Sequence, residues 1–333
     1  MKRHKKAKYI VFGIVFSSLL LNSCGINEEA KIEGVKLNKG AIIQNDDGYY
    51  KNYNLQDGKY NQIDSEETIR LYDNIDGNYI SEKDGKYFSF YNGKIEELKS
   101  IGSGDSNLKL SPNGKFISYF KNDDEVNSIK IMDLNSNSPV EFNSTVHISG
   151  SYLEWIDESH IVYYGIKEEH INGIFIYDVK NKSEKLFYEL EEGFIQFLKS
   201  VDTGLICVQQ TLDNKRLIRL IDKDGTYKCI LSEAFLSVKD VIYNGEDYYV
   251  IGTTSNNIPS IYKLKDGKNK RMIFDFPIEV NMNKGLSVDE EGNILFIGKS
   301  SSSRSDELYT LKKDGLIKQI KSDSIEYNFV EYQ

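Results

Sequence analysis

Between residues 106 and 142 the chain reads as four short apolar strands, at 108–110, 116–120, 128–133 and 140–142, each set off by polar turn residues. Phe116 and Ile117 followed by Tyr119 and Phe120 suit a strand covered on both faces. Between the first two strands, Ser111-Pro112-Asn113-Gly114 supplies a proline with preset φ and a glycine for the reversal, so the strands pair as a hairpin. An outer hairpin follows. That outer unit occurs seven times, at residues 49–63, 87–98, 129–142, 174–187, 217–231, 261–274 and 308–320. Its turn carries Gly58, Gly93, Gly225, Gly267 or Gly315, with Asn137 and Lys182 in the matching places of the other two copies. Copies succeed one another at about 35, 44, 45, 43, 42 and 48 residues, the period of a four-stranded propeller blade.

Six outer hairpins are preceded by an inner one, with turns at 75–78, 111–114, 156–159, 202–204, 244–247 and 289–292. Before the first copy there is room for a single strand at 41–44, while the chain ends with a spare one at 324–332. Seating the spare strand innermost in the first blade closes the ring and removes an exposed edge. The expected fold is therefore all-β: a seven-bladed β-propeller over residues 35–333 closed by its C-terminal strand, with six or eight blades as the alternative counts. The run Ser111-Pro112-Asn113-Gly114-Lys115 and the apolar strand after it resemble the repeat of TolB-type and WD40-like β-propellers. The resemblance implies the propeller fold and, by analogy alone, a cell-envelope role like that of TolB.

The N-terminus follows another pattern. Lys2, Arg3, Lys5, Lys6 and Lys8 precede an apolar run at 9–21 that ends in Leu21-Asn22-Ser23-Cys24. A spanning helix needs about twenty residues, so this shorter run reads as the apolar region of a signal peptide. Leu-Asn-Ser-Cys resembles the lipobox of bacterial lipoproteins, which implies cleavage before Cys24 and lipidation of its thiol. The expected division is a signal peptide at 1–23, a polar lipidated tether at 24–34 and the propeller at 35–333. Two acyl chains would anchor the protein stably on the extracytoplasmic face of a bacterial membrane.

Cleavage also changes the charge. Of 42 basic residues five lie in the signal, so the processed chain has 37 against 51 acidic, and its net charge moves from −9 to −14. Such a body lacks the basic face that nucleic acid requires. The 23 tyrosines fit half-exposed sheet surface first and a sugar or peptide platform second. Cys207 and Cys229 fall on the second and fourth strands of one blade, about 9–10 Å apart, too far for a disulfide. Two buried thiols are expected.

Outside the signal, histidine is limited to His147, His160 and His170, too few to converge from several blades as a metal centre. Asp157-Glu158-Ser159-His160 contains the residue types of a catalytic triad. Neighbours on one tight turn cannot present themselves as nucleophile, base and orienter. The acidic runs at 45–48 and 73–77 lack the glutamate that completes an EF-hand loop, and Asp or Asn before Gly is ordinary hairpin chemistry. No Gly-x-Ser-x-Gly elbow is present. Hence no catalytic, cofactor or metal-binding residues are assigned.

The reading is a membrane-anchored binding or scaffolding module with a protein, peptide or cell-wall partner. One alternative is a lyase or hydrolase acting on polysaccharide or peptide at the channel mouth; another is a ligand-binding sensor subunit. Acidic, basic or metal-ligating side chains converging on the channel from several blades would mark the enzyme. Connections between the second and third strands of blades three and four carry Asp123, Asp124, Glu125, Glu168 and Glu169. This acidic sector is expected to attract a cationic partner in a salt-sensitive encounter.

Overall fold

All seven outer hairpins turn on a residue in the left-handed region, and it is the residue the repeat aligns. Gly58, Gly93, Gly225, Gly267 and Gly315 have φ between 69° and 92°, while Asn137 and Lys182 stand at 46° and 52°. Asparagine tolerates this conformation; lysine does so at a cost of about 1 kcal/mol. The structure, a computed structural model, describes residues 32–123, 126–255, 258–300 and 305–333. Cys24 and the signal segment lie outside the described residues.

Among the described residues the strands form seven blades around a ring, five of four strands and two of five, antiparallel except for one pair in blade two. Blade three is made by Ser106–Leu110, Phe116–Asp123, Val126–Asp133 and Ser138–Val140, its outer strand two residues earlier than expected. Its second strand is covered on both faces: Phe116 and Phe120 pack toward blade four, and Ile117 and Tyr119 toward blade two. Trp155, the chain's single tryptophan, stacks on Phe116 at 5.9 Å and donates its indole N–H to Ser118 Oγ at 2.9 Å. A small polar residue among apolar neighbours thus satisfies the one polar atom of the largest buried side chain.

The C-terminal strand closes the ring, with one difference from expectation. Instead of a single strand at 324–332, Glu326–Phe329 pairs antiparallel with Ile42–Asp46 as the innermost strand of blade one. Glu331–Tyr332 then pairs parallel with Thr68–Tyr72 in blade two. The step falls at Val330, whose amide donates to Ala41 O at 3.1 Å and whose side chain is buried. By changing blade there, ten residues cover the inner edges of two neighbouring sheets, where a straight strand would cover one. Tyr327 is fully buried between blades one and seven, and Tyr332 packs edge-on against Tyr72 at 5.9 Å.

Both cysteines are free. Burial pushes the Cys207 thiol up to about 12, so it stays protonated and inert. Cys229 corrects the expectation of two buried thiols: it lies on the outermost strand Tyr227–Ser232, where one flank meets solvent, and is half-buried.

Candidate functional site

The innermost strand of a blade is flanked by its neighbours and would ordinarily be apolar, yet six blades of this ring carry a charged residue there, and blade seven carries one in the 3₁₀ turn Met282–Lys284 between its two short inner strands. Going round, these are Glu326 in blade one, Glu331 on the tail strand of blade two, Lys109, Glu154, Lys199, Asp240 and Lys284. Signs alternate from blade two round to blade one. Seven positions cannot alternate completely, and the mismatch, two adjacent glutamates, falls where the tail closes the ring.

The charges pair across blade boundaries. Lys109 Nζ lies 2.8 Å from Glu154 and 2.5 Å from Glu331; Lys199 Nζ lies 2.6 Å from Asp240. Lys284 bonds Glu326 and, at 2.8 Å, Asn328. Asp240 also accepts the Leu286 amide of blade seven at 2.9 Å. Burial opposes the charge on Lys109, whose side chain is 12% exposed, but the Glu154 and Glu331 carboxylates hold it above the ordinary lysine range. Burial raises Glu154, 6% exposed, above the usual carboxylate range, and the second carboxylate at Glu331 adds to that. Charged groups therefore do converge on the channel from every blade, and each one has an opposite charge of the belt within bonding distance.

Beside the belt, at the starts of the inner strands of blades four to six, opens a cleft of about 490 Å³. Irregular pairing shapes its wall. Register shifts fall within 149–152 of His147–Trp155, at Gln196 of Phe194–Val201, and at Leu236 and Lys239 of Phe235–Tyr243. Each bulge interrupts the side-to-side alternation of its strand and turns these residues toward the opening. Tyr152, Phe194 and Leu236 supply its apolar wall and Arg216 and Lys239 its charge, with no carboxylate in the lining.

Arg216 is held by a relay of amides. Its Nε donates to Gln196 Oε1 at 2.9 Å, Gln196 donates to Gln210 at 2.5 Å, and Gln210 donates to Asn214 at 2.8 Å. Arg216 Nη1 and Nη2 have no hydrogen bond or ion pair among the described residues.

The acidic sector is described only in part. Asp123 ends the strand Phe116–Asp123, and Glu168 stands exposed in the 3₁₀ turn Glu168–His170, which also contains Glu169. Asp124 and Glu125 lie outside the described residues. In blade three the second and third strands pair as far as Asp123 opposite Val126. In each blade the connection between these two strands opens on the face where the inner strand begins, so the sector and the cleft share one face of the ring.

The turn at 157–160 is a turn in structure as well. Asp157 accepts the amides of Ser159 and His160 at 2.8 and 2.9 Å. The imidazole of His160 sits between Asp157 at 2.8 Å and Asp178 at 3.4 Å. Burial works against the charge on Asp157, but those amides and the imidazole hold its carboxyl below the ordinary range. Both ring nitrogens face carboxylates, and Ser159 Oγ lies 3.4 Å from the same Nδ1 that Asp157 holds. Among the described residues, no group of three His, Cys, Asp or Glu is arranged to hold a metal ion.

The belt and cleft were not assigned from sequence. The belt had a signal: Lys109, Glu154, Lys199, Asp240 and Lys284 recur at 45, 45, 41 and 44 residues, the blade period.

No protein-family model matches the sequence, and no curated protein matches it. Solved structures do. A quinonprotein alcohol dehydrogenase-like protein of Bacteroides thetaiotaomicron is similar at 12% identity and TM-score 0.57, over 88% of this chain and 79% of that one. Dipeptidyl peptidase 4 of Porphyromonas gingivalis is similar at 12% identity and TM-score 0.53, over 87% of this chain; the match spans only 56% of the peptidase. TolB of Acinetobacter baumannii is similar at 11% identity and TM-score 0.49, over 88% of this chain and 82% of that one. At such identities the likeness to the first two is one of fold, and the shared architecture is the β-propeller.

Proposed function

We propose that this chain is a lipid-anchored extracytoplasmic binding module, in which the closed propeller is a rigid scaffold and partners engage the face where the inner strands begin. The observation that carries this reading is the mutual pairing of the channel charges. A catalytic channel needs an acid, base or nucleophile with free capacity, whereas here each belt carboxylate lies against a lysine. The cleft on the face where the inner strands begin is accessible to a partner. A protein, peptide or cell-wall component fits a scaffold held close to a membrane.

Anchoring is tested by Cys24→Ser. The expected result is loss of labelled fatty-acid incorporation and release from membranes, or retention as an uncut precursor. A variant that incorporates label and partitions like the wild type contradicts the anchor.

The acidic sector gives a second expectation. Replacing Asp123, Asp124, Glu168 and Glu169 with lysine should slow association of an oligolysine peptide by about tenfold at low salt and far less at moderate salt. Equal rates in both conditions, with the circular dichroism spectrum unchanged, would remove the sector as a docking surface.

A further inference from the structure

The cleft between blades four and six has the features of a built anion site. Arg216 is fixed through Nε by Gln196, Gln210 and Asn214, so its planar fork is held in one orientation before any ligand arrives. Its terminal nitrogens are unengaged among the described residues, and Lys239, also in the lining, has no ion pair there. In a chain with more acidic than basic residues, a cleft lined by two cations and no carboxylate is an inversion of the surrounding charge. Beside the fork stand Tyr152, Phe194 and Leu236, with Phe194 and Leu236 45% and 43% exposed, so an apolar wall accessible to a ligand adjoins the guanidinium.

We infer that this cleft binds a carboxylate attached to an apolar body, of the kind presented by the free C-terminus of a peptide ending in an apolar residue or by a small hydrophobic acid. This rests on the binding-module reading and names the ligand class of the same face. A planar guanidinium fork matches a carboxylate with two parallel N–H···O bonds. One such fork suits a monoanion; a phosphate dianion calls for further donors, such as the amides of a glycine loop or helix start, and the cleft lining has neither. The volume suits a ligand of two or three residues. Bulges at Gln196, Leu236 and Lys239 place the orienting amide, an apolar contact and the second cation around one opening.

The test is calorimetric titration of the full chain in detergent micelles with N-acetyl-leucyl-phenylalanine, its carboxamide and inorganic phosphate. The free acid is expected to bind with a Kd of about 1 mM or tighter. The carboxamide should bind at least about tenfold more weakly, the value of one lost charge-assisted pair. Arg216→Gln should weaken the acid by a similar factor without changing the carboxamide, and Arg216→Lys should restore part of the loss. N-acetyl-phenylalanine distinguishes a small acid from a peptide end: equal affinity points to the former, weaker affinity to the latter, and both support the site. Equal binding of acid and carboxamide, preference for phosphate, or no binding of any probe overturns it. The comparison of acid with carboxamide needs only wild-type protein, so it stands even if a variant fails to fold. A negative result leaves anchoring at Cys24 and steering by the acidic sector intact, so failure of the cleft is distinguishable from failure of the scaffold.

Discussion

Removing residues 324–333 should abolish the stable ring. The deletion takes out Tyr327, which is fully buried, Val330 and the Tyr332–Tyr72 contact, and it uncovers the inner edges of blades one and two. It also strips Glu326 from Lys284 and Glu331 from Lys109. Loss of one large buried side chain alone costs about 3–5 kcal/mol, and a domain's whole stability is about 5–15 kcal/mol. The truncated chain should therefore melt at least about 10 °C lower or lose its cooperative transition. Melting within a degree or two of full length would contradict closure by the tail. The same closure should weaken in acid. The hydrogen bond and charge of Lys284 hold Glu326 below its ordinary 4.5. A carboxylate depressed in the folded state contributes stability that is complete above that value and lost as pH falls through the folded pKa. Proteolytic clipping of the tail should accordingly rise as pH falls below 4.5.

Lys109→Met should be the most damaging single change in the belt. It leaves Glu154 buried without its partner and Glu331 beside it, and breaking a buried pair from one side costs about 3–5 kcal/mol. Adding Glu154→Leu should recover most of that loss, because two apolar groups replace two desolvated charges and Glu331 can turn to solvent. Acidification offers a second check. Burial already favours the protonated form of Glu154, so in Lys109→Met the penalty should shrink as pH falls and the stranded carboxylate takes up a proton. Urea unfolding of the single and double variants at neutral and acidic pH measures both effects. A single variant within 1 kcal/mol of wild type would show that the buried ammonium contributes little.

Turn chemistry made the ring legible, because a hairpin reversal requires a particular φ and few residues supply it. Even Asn137 and Lys182, which break the glycine pattern, adopt the backbone that their alignment demands. The spare strand could likewise be placed, since an unpaired edge at one end of the chain and a surplus strand at the other have one economical solution. Its division at Val330 was not legible; both pieces satisfy their backbones, and only the second open edge in blade two determines the step. The belt is hidden in the sequence for a different reason. A lysine in a short apolar strand, read singly, resembles a solvent-facing position, and the alternating signs emerge only when inner strands from successive blades are set side by side. The cleft is less visible still, since bulges at Gln196, Leu236 and Lys239 cancel the alternation by which a strand's facing residues are read.

The most direct measurement of the account is amide hydrogen exchange of the full-length protein, comparing residues 326–332 with the inner strands of blades three to five. A ring closed by its tail and clamped by the Lys109–Glu331 and Lys284–Glu326 pairs predicts tail amides that exchange as slowly as those of His147–Trp155, with protection lost together as the ring unfolds. Tail amides that exchange within seconds while the blade cores stay protected would contradict it.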